Sequence, residues 1–559
     1  MNPIVGMHRS RSTMISEQVS PDRPARGQTR LVEALRNPAC YPHPVQPIRV
    51  IETHISFVVL TGDFAYKIKK AVNLGFLDST TLDKRRFFCE EELRLNTRLA
   101  PELYLEVVPI CGAPEAPQVG GGGKVIEYAV KMREFPQAAL ADRALARDGL
   151  ALRHIDLLAA LVAEFHFCLR GCGASDSYGA PETIRTFASQ NFAQIRALQI
   201  QMMQAAALGE IETWSGLEHE RLREVFLRRK GQGMVRECHG DLHLGNILLL
   251  DGKPRVFDCI EFNPELRWID VMNEVAFVVM DLRAAGRPNF AARFLNAYLE
   301  STGDYSGLAV LCYYLVYRAM VRAKVSLMSA RQLGKGTEKS VKRFRRYLAL
   351  AHGCIRPPRR FIAVTHGFSG SGKTTLTQPL LELTGAIRIR SDVERKRIRG
   401  LAADERSKSG IGEGLYGADM TAATYDRLLD LARTIVDAGH AVIVDATFLQ
   451  RGKREMFRTL ASQVDVPFLI IDFSVSEKIL RERVLLRSER GSDASDADLA
   501  VLEHQLVTRE PLQAEELASA FTYNASRPVE DAQHPQSWTP LLRRLSLFAG
   551  STSEQRPKI

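Results

Sequence analysis

A glycine-rich segment directly behind an apolar run places the tightest constraint on how this chain folds. Residues 367–374 read Gly-Phe-Ser-Gly-Ser-Gly-Lys-Thr, and residues 361–365 before them are mostly apolar, as a buried strand requires. In the pattern Gly-x-x-x-x-Gly-Lys-Thr, glycines let backbone N–H groups surround phosphate oxygens, and the following helix turns its positive end toward them. The sequence therefore predicts a strand, a phosphate loop (residues 367–374) and a helix.

Two side chains of the phosphate loop have distinct chemical roles. Lys373 can reach the β- and γ-phosphates of a nucleotide, and the hydroxyl of Thr374 can bind Mg²⁺. A surface turn rich in serine and glycine would leave the lysine and the preceding strand unexplained. We therefore predict ATP and Mg²⁺ as cofactors. The predicted nucleotide-binding residues of this loop are Gly367, Ser369, Gly370, Ser371, Gly372, Lys373, Thr374 and Thr375.

Length and composition indicate a multidomain protein without a membrane segment. The chain has 559 residues, whereas domains commonly contain about 100–200. No apolar stretch approaches the ~20 residues that span a bilayer. The 9 cysteines form no Cys-x-x-Cys pair and no secretory signal peptide is evident, so we expect a cytoplasmic protein. The net charge of +10 is spread along the chain, and no nucleic-acid-binding motif accompanies it, which argues against a nucleic acid partner.

Periodicity divides the chain into two folded halves. Small-sheet and then helical patterns fill the first half, whereas strands and helices alternate in the second, as in a parallel sheet. The Pro357–Pro358 pair cannot continue a helix and so marks a linker. The predicted segments are a disordered tail (1–45), the first half (46–346), a linker (347–360), the second half (361–547) and a disordered tail (548–559).

A second cluster of polar residues lies in the first half. Residues 239–246 read His-Gly-Asp-Leu-His-Leu-Gly-Asn, and an apolar run, an Asp-Gly turn and Asp258 follow. Asp241 would accept or orient the proton of an attacking hydroxyl, while Asn246 and Asp258 would supply oxygen ligands to Mg²⁺. A polar turn without a catalytic role would not require this spacing.

With this catalytic loop (residues 239–246), the first half resembles the aminoglycoside phosphotransferase-like branch of the protein-kinase-like fold. The resemblance covers roughly residues 45–340 and implies an α+β, two-lobed kinase with ATP between its lobes. It also implies a strand lysine that contacts the α- and β-phosphates and pairs with a glutamate on the next helix. We select Lys67 and Glu92 for this pair; the alternatives left open are Lys69, Glu90 and Glu91.

Four further residues of the first half carry weaker expectations. Glu261 would assist the metal or the acceptor, and Asp270 would stabilise the catalytic loop. Arg318 and Arg322 share one face of a predicted helix, which we interpret as ordinary helix surface rather than a face of the cleft.

The second half carries candidate residues behind its predicted strands. Asp392 follows strand 386–390 and would act as a general base or orient an acceptor hydroxyl. Asp445 follows an apolar strand and would bind Mg²⁺ or, alternatively, the substrate. Arg487 lies on a helix of the kind that carries phosphate-binding arginines in a mobile lid, with Arg483 and Arg490 as alternatives.

These motifs resemble the small-molecule P-loop kinases of the gluconate kinase, chloramphenicol phosphotransferase and zeta-toxin group over about residues 360–545. That resemblance implies an α/β P-loop domain with a parallel sheet. The order of the halves resembles bacterial fusions of an aminoglycoside phosphotransferase-like domain with an ATP-binding kinase domain.

The leading hypothesis is an ATP- and Mg²⁺-dependent phosphotransferase with two nucleotide sites, which transfers the γ-phosphate to hydroxyl groups of small molecules. One alternative is a P-loop kinase or ATPase that a ligand-sensing, kinase-like first half regulates. Another is an ATPase switch or a toxin-like kinase with a macromolecular target. The sequence specifies neither the acceptors nor the oligomeric state.

Overall fold

The described part of the chain forms two compact units. The computed structural model describes residues 23–75, 77–173, 175–198, 205–333, 337–356, 359–401, 417–490 and 498–547. Unit 1 comprises the described residues up to Pro136 together with Glu261–Asn263, and unit 2 comprises Gln137–Ile260 and the described residues from Pro264 onward. Among these residues, none of the helices combines the length and apolar character needed to cross a membrane.

Unit 1 is a six-stranded antiparallel sheet with helices packed on it. The strand order is β1-β2-β3-β6-β4-β5, and alternating apolar side chains such as Val59, Ile68 and Ile110 form its core. Its elements are α1 (Arg23–Ala34), β1 (Arg49–Glu52), β2 (Ser56–Leu60), β3 (Phe64–Lys69), α2 (Leu82–Asn96), β4 (Tyr104–Ala113), β5 (Ala116–Val119) and β6 (Val125–Arg133).

Helix α1 corrects the prediction of a disordered tail at residues 1–45. Leu31 and Leu35 of this region are buried in the core of the sheet. The buried Gln28 amide donates to the Lys69 carbonyl at 2.9 Å and to the Glu127 carboxylate at 2.7 Å. The composition, rich in Arg, Ser and Pro, concealed these few core-facing side chains, so the prediction is wrong for residues 23–45. The predicted tails 1–22 and 548–559 lie outside the described residues.

The part of unit 2 that belongs to the first half is mostly helical. Helix α7 is buried on nearly every side, as its mostly apolar sequence requires. Strands β8 and β9 form an antiparallel hairpin directly after the catalytic loop. The elements are α3 (Ala141–Leu145), α4 (Leu152–Cys168), α5 (Pro181–Ala197), α6 (Ala205–Gly231), β7 (Val235–Glu237), β8 (Ile247–Leu250), β9 (Lys253–Val256), β10 (Trp268–Asp270), α7 (Val271–Ala284), α8 (Pro288–Thr302), α9 (Leu308–Leu333) and α10 (Thr337–Cys354).

The second half is a five-stranded parallel sheet with helices on it, in the order β12-β13-β11-β14-β15. The predicted α/β fold class is therefore confirmed. The sequence analysis did not predict strand β15, a short edge strand of only five residues. The elements are β11 (Ile362–His366), α11 (Lys373–Thr384), β12 (Ile387–Arg390), α12 (Ser391–Ile398), α13 (Ala418–Asp437), β13 (Val442–Asp445), α14 (Arg451–Gln463), β14 (Phe468–Ser474), α15 (Glu477–Arg490), α16 (Leu499–Thr508), α17 (Ala514–Leu517), β15 (Ala520–Asn524) and α18 (Thr539–Leu547).

The boundary between the two compact units differs from the boundary predicted between the halves. Helix α8 of the first half packs on α11 and β12 of the second, so both belong to unit 2. The linker predicted at 347–360 is also wrong in its first part. Helix α10 continues to Cys354, because Tyr347, Leu348 and Ala351 are buried within unit 2.

Candidate active sites

The phosphate loop connects the central strand β11 to helix α11. Gly370 and Gly372 have φ of 82° and 86°, a left-handed conformation that favours glycine. A Cβ atom on Gly370 would lie 2.9 Å from a Val484 methyl group, so the loop also needs the missing side chain for space. Helix α11 begins at Lys373 with no side-chain cap from Gly372. Its first backbone N–H groups are therefore suited to an anionic ligand.

The polar groups of the phosphate loop bond to one another and to helix α16. The Lys373 ammonium donates to the carbonyls of Gly367 at 3.0 Å and Phe368 at 2.7 Å. The Ser369 N–H donates to the Gln505 side-chain oxygen at 2.9 Å, and the Gln505 amide donates to the Ser369 hydroxyl at 3.0 Å. All of these donors are of the kind that binds phosphate oxygens.

Thr374 and Asp445 form a pair of oxygen donors beside the loop. The Thr374 hydroxyl donates to an Asp445 carboxylate oxygen at 2.6 Å, and Asp445 is buried at the carboxyl end of β13. Mg²⁺ prefers oxygen ligands and commonly takes one or two carboxylates with the substrate phosphates. The chemistry of this pair therefore fits a magnesium ion.

A cavity of about 840 Å³ opens in front of the phosphate loop. Asp392 lines it from the start of α12 and accepts a hydrogen bond from Arg395 at 2.9 Å. Arg483 also lines the cavity and donates to the Ala525 carbonyl at 3.0 Å. The backbone of Arg487 lies on α15, but its side chain lies outside the described residues. Of the candidate lid arginines, Arg483 is the one that the described structure brings to the cavity.

In the first half, the catalytic loop brings Asp241 and Asn246 together. The Asn246 amide donates to the Asp241 backbone carbonyl at 3.0 Å and to its carboxylate at 3.1 Å. The backbone N–H of Phe257 donates to the Asn246 carbonyl at 3.1 Å, so the β8–β9 hairpin returns the chain to the loop just before Asp258. The Asn246 amide oxygen and the Asp258 carboxylate are hard oxygen donors, which suit Mg²⁺.

Asp241 remains ionised in its surroundings. Burial acts to raise the pKa of this carboxyl group, but His243 and Arg322 favour the charged form, and the net pKa lies well below its usual value. His243 Nε2 lies 3.5 Å from the carboxylate. An ionised carboxylate is the form that accepts a hydrogen bond from an acceptor hydroxyl.

Two carboxylates of helix α7, which the sequence analysis missed, hold the catalytic loop. Glu274 accepts hydrogen bonds from the backbone N–H groups of His239 at 3.1 Å and Gly240 at 2.7 Å. Burial raises the pKa of Glu274, but His166 outweighs it and the pKa falls to about 2. Asp281 accepts from the Leu244 N–H at 3.0 Å. The sequence did contain a signal for Glu274 and Asp281. They are acidic residues in a mostly apolar helix, and acidic groups that are buried need hydrogen-bond partners.

The structure assigns other partners to Asp270, Arg318 and Arg322. Asp270 binds Arg229 at 2.7 and 2.9 Å and caps α7, so the expectation that it stabilises the catalytic loop is wrong. Arg318 is buried and donates to Asn273 at 2.7 Å. Arg322 is half-buried, and its Nε donates to the Tyr347 hydroxyl at 3.5 Å. The interpretation of both arginines as helix surface is therefore also wrong, because α9 packs between neighbouring helices.

In unit 1, Glu92 serves both candidate lysines. Lys67 Nζ lies 2.7 Å from the Glu92 carboxylate. The buried Lys69 donates to Glu92 and to Glu261, so Glu261 has a lysine partner within this unit. Glu92 is fully buried, whereas Glu90 and Glu91 pair with Arg86 and Arg94 of their own helix. The use of Lys67 and Glu92 in nucleotide binding stays a prediction.

Each half of the chain matches the model of a known protein family. Residues 88–311 match the family described as "Phosphotransferase enzyme family", and residues 362–512 match the "AAA domain" family. Among solved structures, the chain is similar to a choline/ethanolamine kinase family protein from Mesorhizobium loti, with 11% identity, a TM-score of 0.37, and coverage of 59% of this chain and 99% of that one. It is also similar to a gluconokinase from Sinorhizobium meliloti, with 22% identity, a TM-score of 0.24, and coverage of 35% and 99%.

Mycobacterial relatives match across both halves. The Mycobacterium tuberculosis protein named "Uncharacterized protein Rv2004c" is 31% identical over 470 residues, which are 83% of this chain and 91% of the relative. The chain therefore belongs to the family of this mycobacterial protein, and it joins a phosphotransferase-type kinase domain to a P-loop kinase domain in one polypeptide.

Proposed function

We propose that the protein is an ATP-dependent phosphotransferase with two active sites, each of which transfers a γ-phosphoryl group to the hydroxyl group of a small molecule. The observation that carries the proposal is that each half has oxygen or loop groups suited to Mg²⁺ and phosphate, and a carboxylate suited to orient an acceptor hydroxyl. In the first half, these are Asn246 and Asp258, with Asp241 as the carboxylate. In the second half, they are the phosphate loop and Asp445, with Asp392 as the carboxylate.

In the second half, the backbone of the phosphate loop and Lys373 would bind the nucleotide phosphates. Thr374 and Asp445 would hold Mg²⁺, which neutralises charge on the transferring phosphoryl group when bound. Asp392 lines the same cavity and would orient an acceptor hydroxyl or take its proton.

In the first half, Lys67 with its partner Glu92 would bind nucleotide phosphates, and Asn246 and Asp258 would hold Mg²⁺. Asp241 would orient the acceptor hydroxyl, and its lowered pKa supports that role because the carboxylate is available at neutral pH. Both halves would act by positioning and charge neutralisation, without a covalent intermediate on the protein.

The test is ATP consumption by the full chain with a panel of sugars, amino alcohols and antibiotics, with products identified by mass spectrometry. Lys373→Ala and Asp241→Asn should each remove the products of one half, with losses on the order of 10²-fold or more. The exposed residues Lys478 and Asp251 offer matched controls, Lys478→Ala and Asp251→Asn, which should keep parental activity. Full activity in the Lys373→Ala/Asp241→Asn double variant would refute the proposal.

A second candidate function is a P-loop kinase that the first half regulates by binding a ligand. The packing of α8 on α11 and β12 favours this candidate, because it connects the first half directly to the second. It predicts that Asp241→Asn leaves no product missing, whereas ligands of the first half change turnover at the second site.

A further inference from the structure

Helix α8 of the first half takes the place of a neighbouring strand at the edge of the second sheet. Strand β12 is an edge strand, and such strands present unpaired backbone groups. Asn296, which is 6% exposed, supplies both partners. Its amide donates to the Ala386 carbonyl at 3.0 Å, and its oxygen accepts from the Arg388 N–H at 2.7 Å. This double hydrogen bond fixes α8 against β12.

One turn further along α8, Glu300 binds an arginine that lines the phosphate-loop cavity. The Arg390 guanidinium donates to the Glu300 carboxylate at 2.8 Å, and Arg397 donates to the Glu300 backbone carbonyl at 2.6 Å. Asn296 and Glu300 are four residues apart, so they share a helix face. That one face therefore contacts both the backbone of β12 and an arginine at its carboxyl end.

Arg390 lies among carboxylates on both sides. It is in register with Asp445 across β12 and β13, and Asp392 follows it by two residues at the cavity. The Arg390 guanidinium is a permanent cation. It pairs with the Glu300 carboxylate and lies beside the two carboxylates of the second site.

We propose that Glu300 is a positioning residue for the second active site, supplied by the first half. Its carboxylate holds the Arg390 guanidinium back from Asp445 and so keeps the Asp445 oxygens available to Thr374 and to a divalent cation. The proposal rests on the proposed function of the second half. Without the Glu300 charge, Arg390 would pair more closely with Asp445 and compete with the cation for the same oxygens.

The test uses the full chain with Lys67→Met and Asp258→Asn, which remove the proposed phosphate contact and Mg²⁺ ligand of the first site. Binding of the fluorescent nucleotide N-methylanthraniloyl-ATP is measured while Mg²⁺ is titrated, and again in EDTA. Glu300→Gln should raise the Mg²⁺ concentration for half-maximal binding by roughly fivefold to tenfold. Binding in EDTA should change by less than about twofold, because the loop amides and Lys373 would bind the nucleotide phosphates without the Asp445 carboxylate. A general loss of structure would weaken both measurements equally.

Three further variants decide whether the effect passes through Arg390. Glu382→Gln breaks another ion pair made by α8, since Glu382 of α11 accepts from Arg293 at 2.8 Å, and should leave the Mg²⁺ dependence unchanged. Glu300→Asp should retain most of the parental behaviour. In an Arg390→Gln background, Glu300→Gln should add no further shift.

The contrary outcomes are distinct. An equal shift in Glu382→Gln, a full shift in the Arg390→Gln background, or no shift in Glu300→Gln would overturn the role of Glu300 while the proposed function stands. A parental chain whose nucleotide binding is insensitive to Lys373→Ala would overturn both.

Discussion

Asn296→Ala offers a quantitative test of how the first half supports the second sheet. The substitution removes both side-chain partners of β12, which leaves the Arg388 N–H and the Ala386 carbonyl buried without those hydrogen bonds. A buried polar group that loses its partner costs about 1–3 kcal/mol. Because water can enter the space left by a shortened side chain, we expect the local opening free energy of β12 to fall by about 2–4 kcal/mol.

Native-state hydrogen exchange followed by mass spectrometry is the suitable assay, because a multidomain chain lacks a single free energy of unfolding. Peptides that cover Ile387–Arg390 should exchange roughly 30- to 1000-fold faster in Asn296→Ala. Ser301→Ala is the control on the same helix, since the exposed Ser301 hydroxyl donates only within α8 in the described structure and its loss should leave β12 unchanged. Exchange of β12 within about threefold of the parental rate would refute this account of the edge strand.

The remaining predictions concern charge. Burial, followed by nearby Arg283, lowers the pKa of His440 to about 4 from 6.5. The unfolded chain therefore binds this proton more readily, and stability should fall as the pH falls from about 6.5 to about 4. His440→Gln should flatten that part of a profile of stability against pH. Lys69→Met leaves two buried carboxylates without this partner and should lower the local opening free energy of β3 by about 3–5 kcal/mol in native-state hydrogen exchange. Lys67→Met should instead cost less stability while removing ATP turnover by the first half, and the reverse ranking of the two lysines would contradict these assignments.

Local periodicity was enough to predict most of the fold. Strands β11, β13 and β14 have apolar runs behind which the chain turns helical, and β12 alternates between Ile and Arg, so their types follow from the sequence. Helix α1 was hidden because only a few of its side chains face the core, and their burial depends on a sheet formed later in the chain. The end of α10 was predicted too early. The proline pair sets the last point at which the helix can end, but it does not show how close to that point the helix continues.

Some residues of the candidate sites could likewise be predicted from local spacing, and others could not. Asp241 and Asn246 lie five residues apart in one loop, and the residues of the phosphate loop are contiguous, so their spacing alone indicates their chemistry. Glu274 contacts the catalytic loop from 34 residues away, and Asn296 contacts Arg388 from 92 residues away. Such contacts depend on how helices pack, and no local pattern of residues specifies them.

The phosphate loop already has hydrogen-bond partners, and these partners limit the free energy that a nucleotide gains by binding. Phosphate oxygens would have to draw Lys373 from two carbonyl groups and the Ser369 N–H from Gln505, so each new bond replaces an old one. Affinity then reflects a difference between two bonded states, which is much smaller than the strength of the contacts in either. A loop of this kind would exchange its ligand rapidly, because Lys373 and the Ser369 N–H would return to their protein acceptors when the phosphates leave.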